Sequence, residues 1–193
     1  MLLRFPIFVV ISSLPLFGFS SEPIVSVRSE IRGGSVYVET EATIAATFET
    51  IWEALTDYDR LSNFIPGMKF SRLLRYEGST AFVEQKGSAK FLFFELPIEV
   101  VVRSIEERPH SIRIELEEGT LERLSGGYQL RNAGRENLWN LSWSGYIEPS
   151  IPIPNFLTER LIRNDLRAQF EGMVIEIQRR TEAIFTRDRE SVK

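Results

Sequence analysis

Residues 138–177, LWNLSWSGYIEPSIPIPNFLTERLIRNDLRAQFEGMVIEI, hold two different periods on either side of a proline-rich break. Trp139, Leu141, Trp143, Gly145 and Ile147 alternate with Asn140, Ser142, Ser144 and Tyr146. A period of two is that of a strand with one buried face. Pro149, Pro152 and Pro154 punctuate the break, and Asn155 stands where a helix can be capped. Leu157, Leu161/Ile162, Leu166, Phe170, Met173/Val174 and Ile177 then recur every three or four residues, with Glu159, Arg160, Arg163, Arg167, Glu171 and Arg180 on the other face. This predicts a helix of about twenty-five residues with one apolar stripe, about 37 Å long. Such a stripe needs a surface to lie on, and the strands upstream are the available one.

Upstream, residues 21–33 read as a linker or lead-in strand. From Gly34 the pattern sharpens: Val36, Val38, Thr40, Ala42 and Ile44 alternate with polar neighbours. Thr47 offers an N-cap, and Phe48, Ile51, Trp52 and Leu55 follow at helical spacing. A second short helix or turn over 57–64 ends at Pro66-Gly67. Strands then recur over 68–76, 80–90, 98–105, 112–117, 119–130 and 139–147, joined by short turns, which is the signature of an antiparallel meander. The fold class predicted is α+β: a curved antiparallel sheet of about six or seven strands around one long C-terminal helix, with two short helices after the first strand. The main domain spans 34–182, and 183–193 is a polar tail. A twisted sheet closing on a single helix leaves a gap, and persistent gaps of this kind are apolar and hold a ligand or nothing.

The 193 residues carry a net charge of −4. A mildly acidic chain lacks the clustered Lys and Arg that phosphate neutralisation requires, which excludes nucleic acid as a partner. No cysteine and one histidine exclude thiol chemistry, disulfides and multi-histidine metal sites. No metal site, catalytic residue or cofactor is predicted. The first twenty residues differ in kind. A basic start at Arg4, an uncharged run from Phe5 to Phe19 and Gly18-Phe19-Ser20 match a secretory signal peptide, implying export to a periplasm. An uncleaved membrane anchor is the alternative for the same run, although it is shorter than the roughly twenty residues a span needs.

His110 follows Pro109 in a turn and reads as exposed. Glu39, Glu41, Glu115 and Glu117 fall opposite the apolar face and read as solvated. Glu84 and Gln85 straddle one strand, so one of them points inward, and an inward Gln85 orients a ligand carbonyl. Gly126-Gly127 reads as a strand bend or bulge, too short to cradle a phosphate. Trp139, Trp143, Tyr128 and Phe170 place large rings on the inward face, either as core or as pocket lining. The apolar run Phe91–Phe94 reads as core or pocket rim.

Several motifs, in order, resemble the START-like (Bet v 1-like, SRPBCC) superfamily, in particular its polyketide cyclase/dehydrase and coenzyme-Q-binding branch. They are Trp52-Glu-Ala-Leu-Thr-Asp-Tyr58, Phe64-Ile65-Pro66-Gly67, Leu124-Ser-Gly126-Gly127-Tyr128-Gln129-Leu130 and the proline-rich approach to the last helix. The resemblance covers about 34–182. It implies a helix-grip fold and a pocket for a lipid, an isoprenoid quinone or a polyketide, with no shared catalytic machinery. The resulting expectation is an exported, monomeric binding or transport protein for a hydrophobic small molecule, with transient membrane contact. Phe64, Gln85, Phe93, Ile114, Tyr128, Trp139, Trp143, Ile162, Leu166 and Phe170 are the expected ligand contacts. A cyclase or dehydratase using the same cavity is the alternative, which an inward carboxylate with a raised pKa would favour.

Overall fold

The computed structural model describes residues 24–91, 94–151 and 154–191. Its strands are β1 (Ser26–Arg32), β2 (Ser35–Ala45), β3 (Met68–Glu77), β4 (Thr80–Phe91), β5 (Phe94–Glu107), β6 (Ser111–Gly119), β7 (Leu121–Arg135) and β8 (Leu138–Pro149). Helix α1 (Phe48–Leu55) and a 3₁₀ helix (Tyr58–Asn63) lie between β2 and β3, and helix α2 (Asn155–Ser191) closes the chain. All eight strands form one antiparallel sheet in the order β1-β2-β8-β7-β6-β5-β4-β3. The architecture is the expected α+β helix grip.

The strand count rises to eight because the lead-in segment is itself a strand. Arg32 pairs with Ser35, so Gly33 and Gly34 form a two-residue hairpin turn, with φ of 56° and 93°. Glycine takes that conformation without steric cost, which makes the pair a hairpin signal. The two short helices consequently follow the second strand. Pro97 does not break β5. Ser88, its partner in β4, donates its N–H to the Gly67 carbonyl at 3.0 Å, away from β5. The Ser88–Pro97 pair is therefore not hydrogen-bonded, and the missing donor faces the side that β6, whose pairing starts at Val100, does not reach.

Helix α1 begins as predicted: Thr47 is the N-cap, its Oγ1 accepting the Thr50 N–H at 3.2 Å. Ile51, Trp52, Ala54 and Leu55 are buried beneath it. Helix α2 is longer than its apolar stripe, running 37 residues, about 55 Å. The stripe ends at Ile177, which is fully buried. Residues 182–187 are exposed all round, and the helix continues through the segment read as a polar tail.

Two features pin the middle of α2. At Gly172 the helix backbone meets the 64–67 loop: a methyl group there would lie 2.5 Å from Pro66 Cδ and 2.6 Å from the Phe64 carbonyl oxygen. One turn on, the buried Glu176 carboxylate accepts from Arg179 at 2.6 Å and Arg180 at 2.8 Å. Arg180 donates to Asp57 at 2.6 Å, and Arg60 also donates to Asp57, at 3.0 Å, so the start of the 3₁₀ helix is tied to α2.

The localisation reading needs correction. Among the described residues no helix is long and apolar enough to cross a membrane, so the anchor alternative finds no span there. The signal-peptide reading rests on residues 1–20, which lie outside the described residues.

Two outcomes test the pinning of α2. Gly172→Ala gains about 1 kcal/mol of helix propensity. The clash with a proline ring and a carbonyl outweighs it, so urea unfolding should show the variant less stable by about 1–2 kcal/mol. The second concerns acid. Arg179 and Arg180 hold the Glu176 carboxyl at about 2, below its ordinary 4.5. The unfolded chain binds the extra proton between those values, so this stabilisation is full above about pH 4.5 and lost as pH falls through about 2. Glu176→Gln should flatten the decline in chemical stability across that window.

Candidate functional site

A cavity of about 460 Å³ lies between α2 and the concave face of the sheet. Its helix wall is Leu161, Ile162, Asp165, Leu166, Gln169, Phe170 and Met173. The sheet wall comes mainly from alternate residues: Gln85 on β4, Val100 and Val102 on β5, Ile112 and Ile114 on β6, Leu124 and Tyr128 on β7, and Trp143 and Ile147 on β8. Leu55, Tyr58 and Leu61 close one end. The mouth is ringed by Pro97 and Ile98, by Thr120 and Leu121 at the β6–β7 turn, and by Pro149–Ile151. Ile114, Leu121, Leu124, Tyr128 and Leu166 point inward but are only half-buried, because they border a hollow.

The depth of the hollow has a local cause. Gly126 on β7 pairs with Gly145 on β8. A methyl group on Gly126 would lie 2.5 Å from the Ser144 carbonyl oxygen and 3.0 Å from Cζ2 of Trp143, and one on Gly145 would lie 2.9 Å from Cη2 of that ring. The paired glycines let the Trp143 indole lie flat on the sheet instead of standing into the cavity. No register shift occurs at Gly126 or Gly127, so neither marks a bulge; Gly126 leaves room for the ring, and a methyl group on Gly127 would collide with the Ile112 carbonyl oxygen of β6. Across the floor, Tyr128 and Phe170 stack with centroids 6.5 Å apart and planes 16° apart.

Of the predicted contacts, the structure brings together Gln85, Ile114, Tyr128, Trp143, Ile162, Leu166 and Phe170. Phe64 and Trp139 need correction. Phe64 sits outside the cavity, its ring beneath the Arg180 guanidinium at 5.6 Å. Trp139 packs on Phe48 at 5.8 Å, under α1, with its indole Nε1 buried and without a hydrogen-bond partner. It shares a face with Trp143, but four residues along a strand is about 13 Å, beyond the end of the hollow. Phe93 lies outside the described residues. Of the pair left open on β4, Glu84 faces outward to Arg72 at 2.8 Å and Gln85 inward, and His110 is exposed as expected.

The polar groups of the lining are few. Thr40 Oγ1 bonds the Trp143 carbonyl at 3.4 Å, and the Tyr58 hydroxyl donates to Glu106 at 2.9 Å. Burial pushes the Tyr128 hydroxyl up to about 12. Asp165 and Gln169 were missed by the sequence reading. Gln169 Nε2 donates to Asp165 Oδ2 at 2.6 Å, and burial raises the Asp165 carboxyl from 3.8 to about 6. The signal was spacing: Ile162, Asp165, Gln169 and Met173 step by three or four residues along the apolar face.

The family model for polyketide cyclase / dehydrase and lipid transport matches residues 44–174, more than half of the chain. The chain belongs to this family, within the START-like superfamily. Among curated proteins none matches its sequence. Solved structures share the fold at low identity. A STAR-related lipid transfer protein fragment from Xanthomonas axonopodis aligns with a TM-score of 0.68 and 14% identity, over 80% of this chain and 93% of that one. Human StAR-related lipid transfer protein 5 aligns at 0.66 and 9%, over 80% and 82%. The Zhui aromatase/cyclase from Streptomyces aligns at 0.64 and 14%, over 80% and 96%. This START-like chain thus has a fold able to enclose a hydrophobic molecule between its sheet and terminal helix.

Ring placement yields a further outcome. Gly145→Val should strain the β7–β8 pairing, where the added carbon would lie 2.6 Å from the Ser125 carbonyl oxygen, and push the Trp143 ring toward the hollow. A neutral apolar fluorescent probe should then bind with at least about tenfold lower affinity, beyond what the accompanying loss of stability explains.

Proposed function

We propose that this START-like protein binds and carries a hydrophobic small molecule, of lipid, isoprenoid quinone or polyketide type. The observation that carries this reading is the open, largely apolar hollow of about 460 Å³. Ligand cavities commonly measure about 300–1,000 Å³, with apolar walls and a few polar groups. Burying roughly 400 Å² of ligand contributes on the order of 10 kcal/mol. Association costs about 4–15 kcal/mol, so area alone yields modest affinity and lets a ligand leave. The carrier acts as a monomer that loads at the mouth, where Pro97 and Ile151 are exposed, during transient contact with a membrane.

A second reading, a cyclase or dehydratase, has one observation in its favour: the inward Asp165 carboxyl, raised to about 6, suits proton transfer near neutral pH. Incubation with a poly-β-ketone thioester separates the two. The enzyme reading expects loss of water or ring closure, abolished by Asp165→Asn; the carrier reading expects the compound back unchanged.

The direct test is mass spectrometry of organic extracts of purified protein, together with binding of a neutral apolar probe. A carrier should yield a co-purifying lipid-like molecule or bind the probe in one-to-one ratio. Leu121→Trp, which narrows the mouth, should slow probe uptake about fivefold or more at unchanged thermal stability. A protein that is empty and takes up no probe would refute the reading.

A further inference from the structure

We propose that the molecule held in this cavity carries a protonated nitrogen on its apolar body, and that Asp165 is the counter-ion that selects it. This deepens the carrier reading and rests on it.

Two charged side chains belong to residues that line the cavity among the described ones, Asp165 and Lys86. Lys86 takes an outward position on β4, where Gln85 and Gly87 face inward. Its ammonium is already held by Glu84 at 3.3 Å and Glu99 at 3.4 Å. Asp165 is different. It receives one hydrogen bond, from Gln169 to Oδ2. Its Oδ1 lies toward the Gly67 backbone, 3.6 Å from where a methyl group on that residue would sit, and accepts nothing from the described residues. No Lys or Arg among them pairs with it.

A carboxylate in an apolar enclosure is costly unless a positive charge accompanies it. Two other acids of α2 have such a partner: Glu171 faces Arg167, and Glu176 faces Arg179 and Arg180. Asp165 alone of these acids opens into the hollow, so the compensating charge has to come from what fills it. An ammonium at the end of an acyl or isoprenoid body supplies the charge and satisfies the idle Oδ1. A fatty acid places a second negative charge beside the first, and a neutral alcohol leaves the charge uncompensated.

The cavity also fixes the pH behaviour. Asp165 meets Gln169 on its own helix and the uncharged Gly67 backbone, and it shares the cavity lining with Lys86 on β4, Tyr128 on β7 and Tyr58 on the 3₁₀ helix. Burial raises both tyrosines above their ordinary range, and Glu84 and Glu99 keep Lys86 charged, so among the described residues lining the cavity Asp165 alone changes charge between about pH 5 and about pH 8.

Dodecylamine, dodecanol and dodecanoate share one tail and differ only in the head. Each, below its micellar concentration, competes with N-phenylnaphthylamine for the purified protein. Near pH 7.5 dodecylamine should bind at least about tenfold tighter than dodecanol, and dodecanoate weaker than either. Lowering to about pH 5 should erase most of the amine's advantage while leaving dodecanol unchanged, a wild-type measurement that needs no variant. Asp165→Asn, which keeps the volume and a partner for Gln169, should bring amine and alcohol within about threefold of each other at both pH values. If all three bind and the alcohol or carboxylate equals the amine, the counter-ion proposal is overturned and the carrier reading stands. If none displaces the probe and the probe itself does not bind, both fall.

Discussion

Gly172 brings the backbone of α2 against Pro66 and the Phe64 carbonyl, and one turn later Glu176 and Arg180 tie the same helix to Asp57. Around this point contact is complete: Val174 and Ile177 are wholly buried. A helix is stiff, so fixing its middle fixes its tilt. Toward Asn155 the ties run to the edge of the sheet, from Ser29 to Glu159 at 2.8 Å and from Arg167 to the Val25 carbonyl at 3.5 Å, and Asp165, Leu166 and Gln169 stay half-buried along a gap. The cavity follows from where the helix is clamped, and the Gly126–Gly145 pair deepens it by laying Trp143 flat. Overpacking at the clamp would therefore alter the hollow without touching its lining.

The same helix shows how one residue type serves two purposes. Asp165 and Glu176 are eleven residues apart, about three turns, and so lie on one face. Glu176 meets two guanidinium groups and its pKa falls to about 2; Asp165 meets none and burial raises its pKa to about 6. The difference lies in the partners, because both carboxyls leave bulk water. The first stabilises the fold, whereas the second is a cost the fold carries, and such costs concentrate where a ligand belongs.

The architecture was legible because periods of two and of three to four are set by the backbone and survive without knowledge of tertiary contacts. The period also placed Tyr128, Trp143 and Phe170 on inward faces, whereas on β4 it left open which of Glu84 and Gln85 points in. Position along an inward face was not legible. Trp139 and Trp143 share a face, yet only the second reaches the hollow, because sheet twist and the placement of α1 decide where the hollow ends. Phe64 was misplaced because a loop has no period to orient it. Asp165 was missed because a charge at a stripe position is ordinarily discounted as surface, whereas here the spacing was the better guide.

The direction in which a ligand lies follows from distances along α2. Leu161 stands near the mouth, Asp165 one turn further in, about 6 Å, and Met173 about 12 Å beyond that, beside the closed end formed by Leu55 and Leu61. Apolar lining supplies affinity with little directional preference, so orientation has to come from the few polar groups. A polar head paired with Asp165 sits one turn inside the mouth, and its tail has only the apolar end beyond Gln169 to fill. A molecule held as proposed enters tail first and leaves head first. On this pairing the charged group travels about one helical turn below the mouth, which spares an ammonium the longer path through the apolar depth.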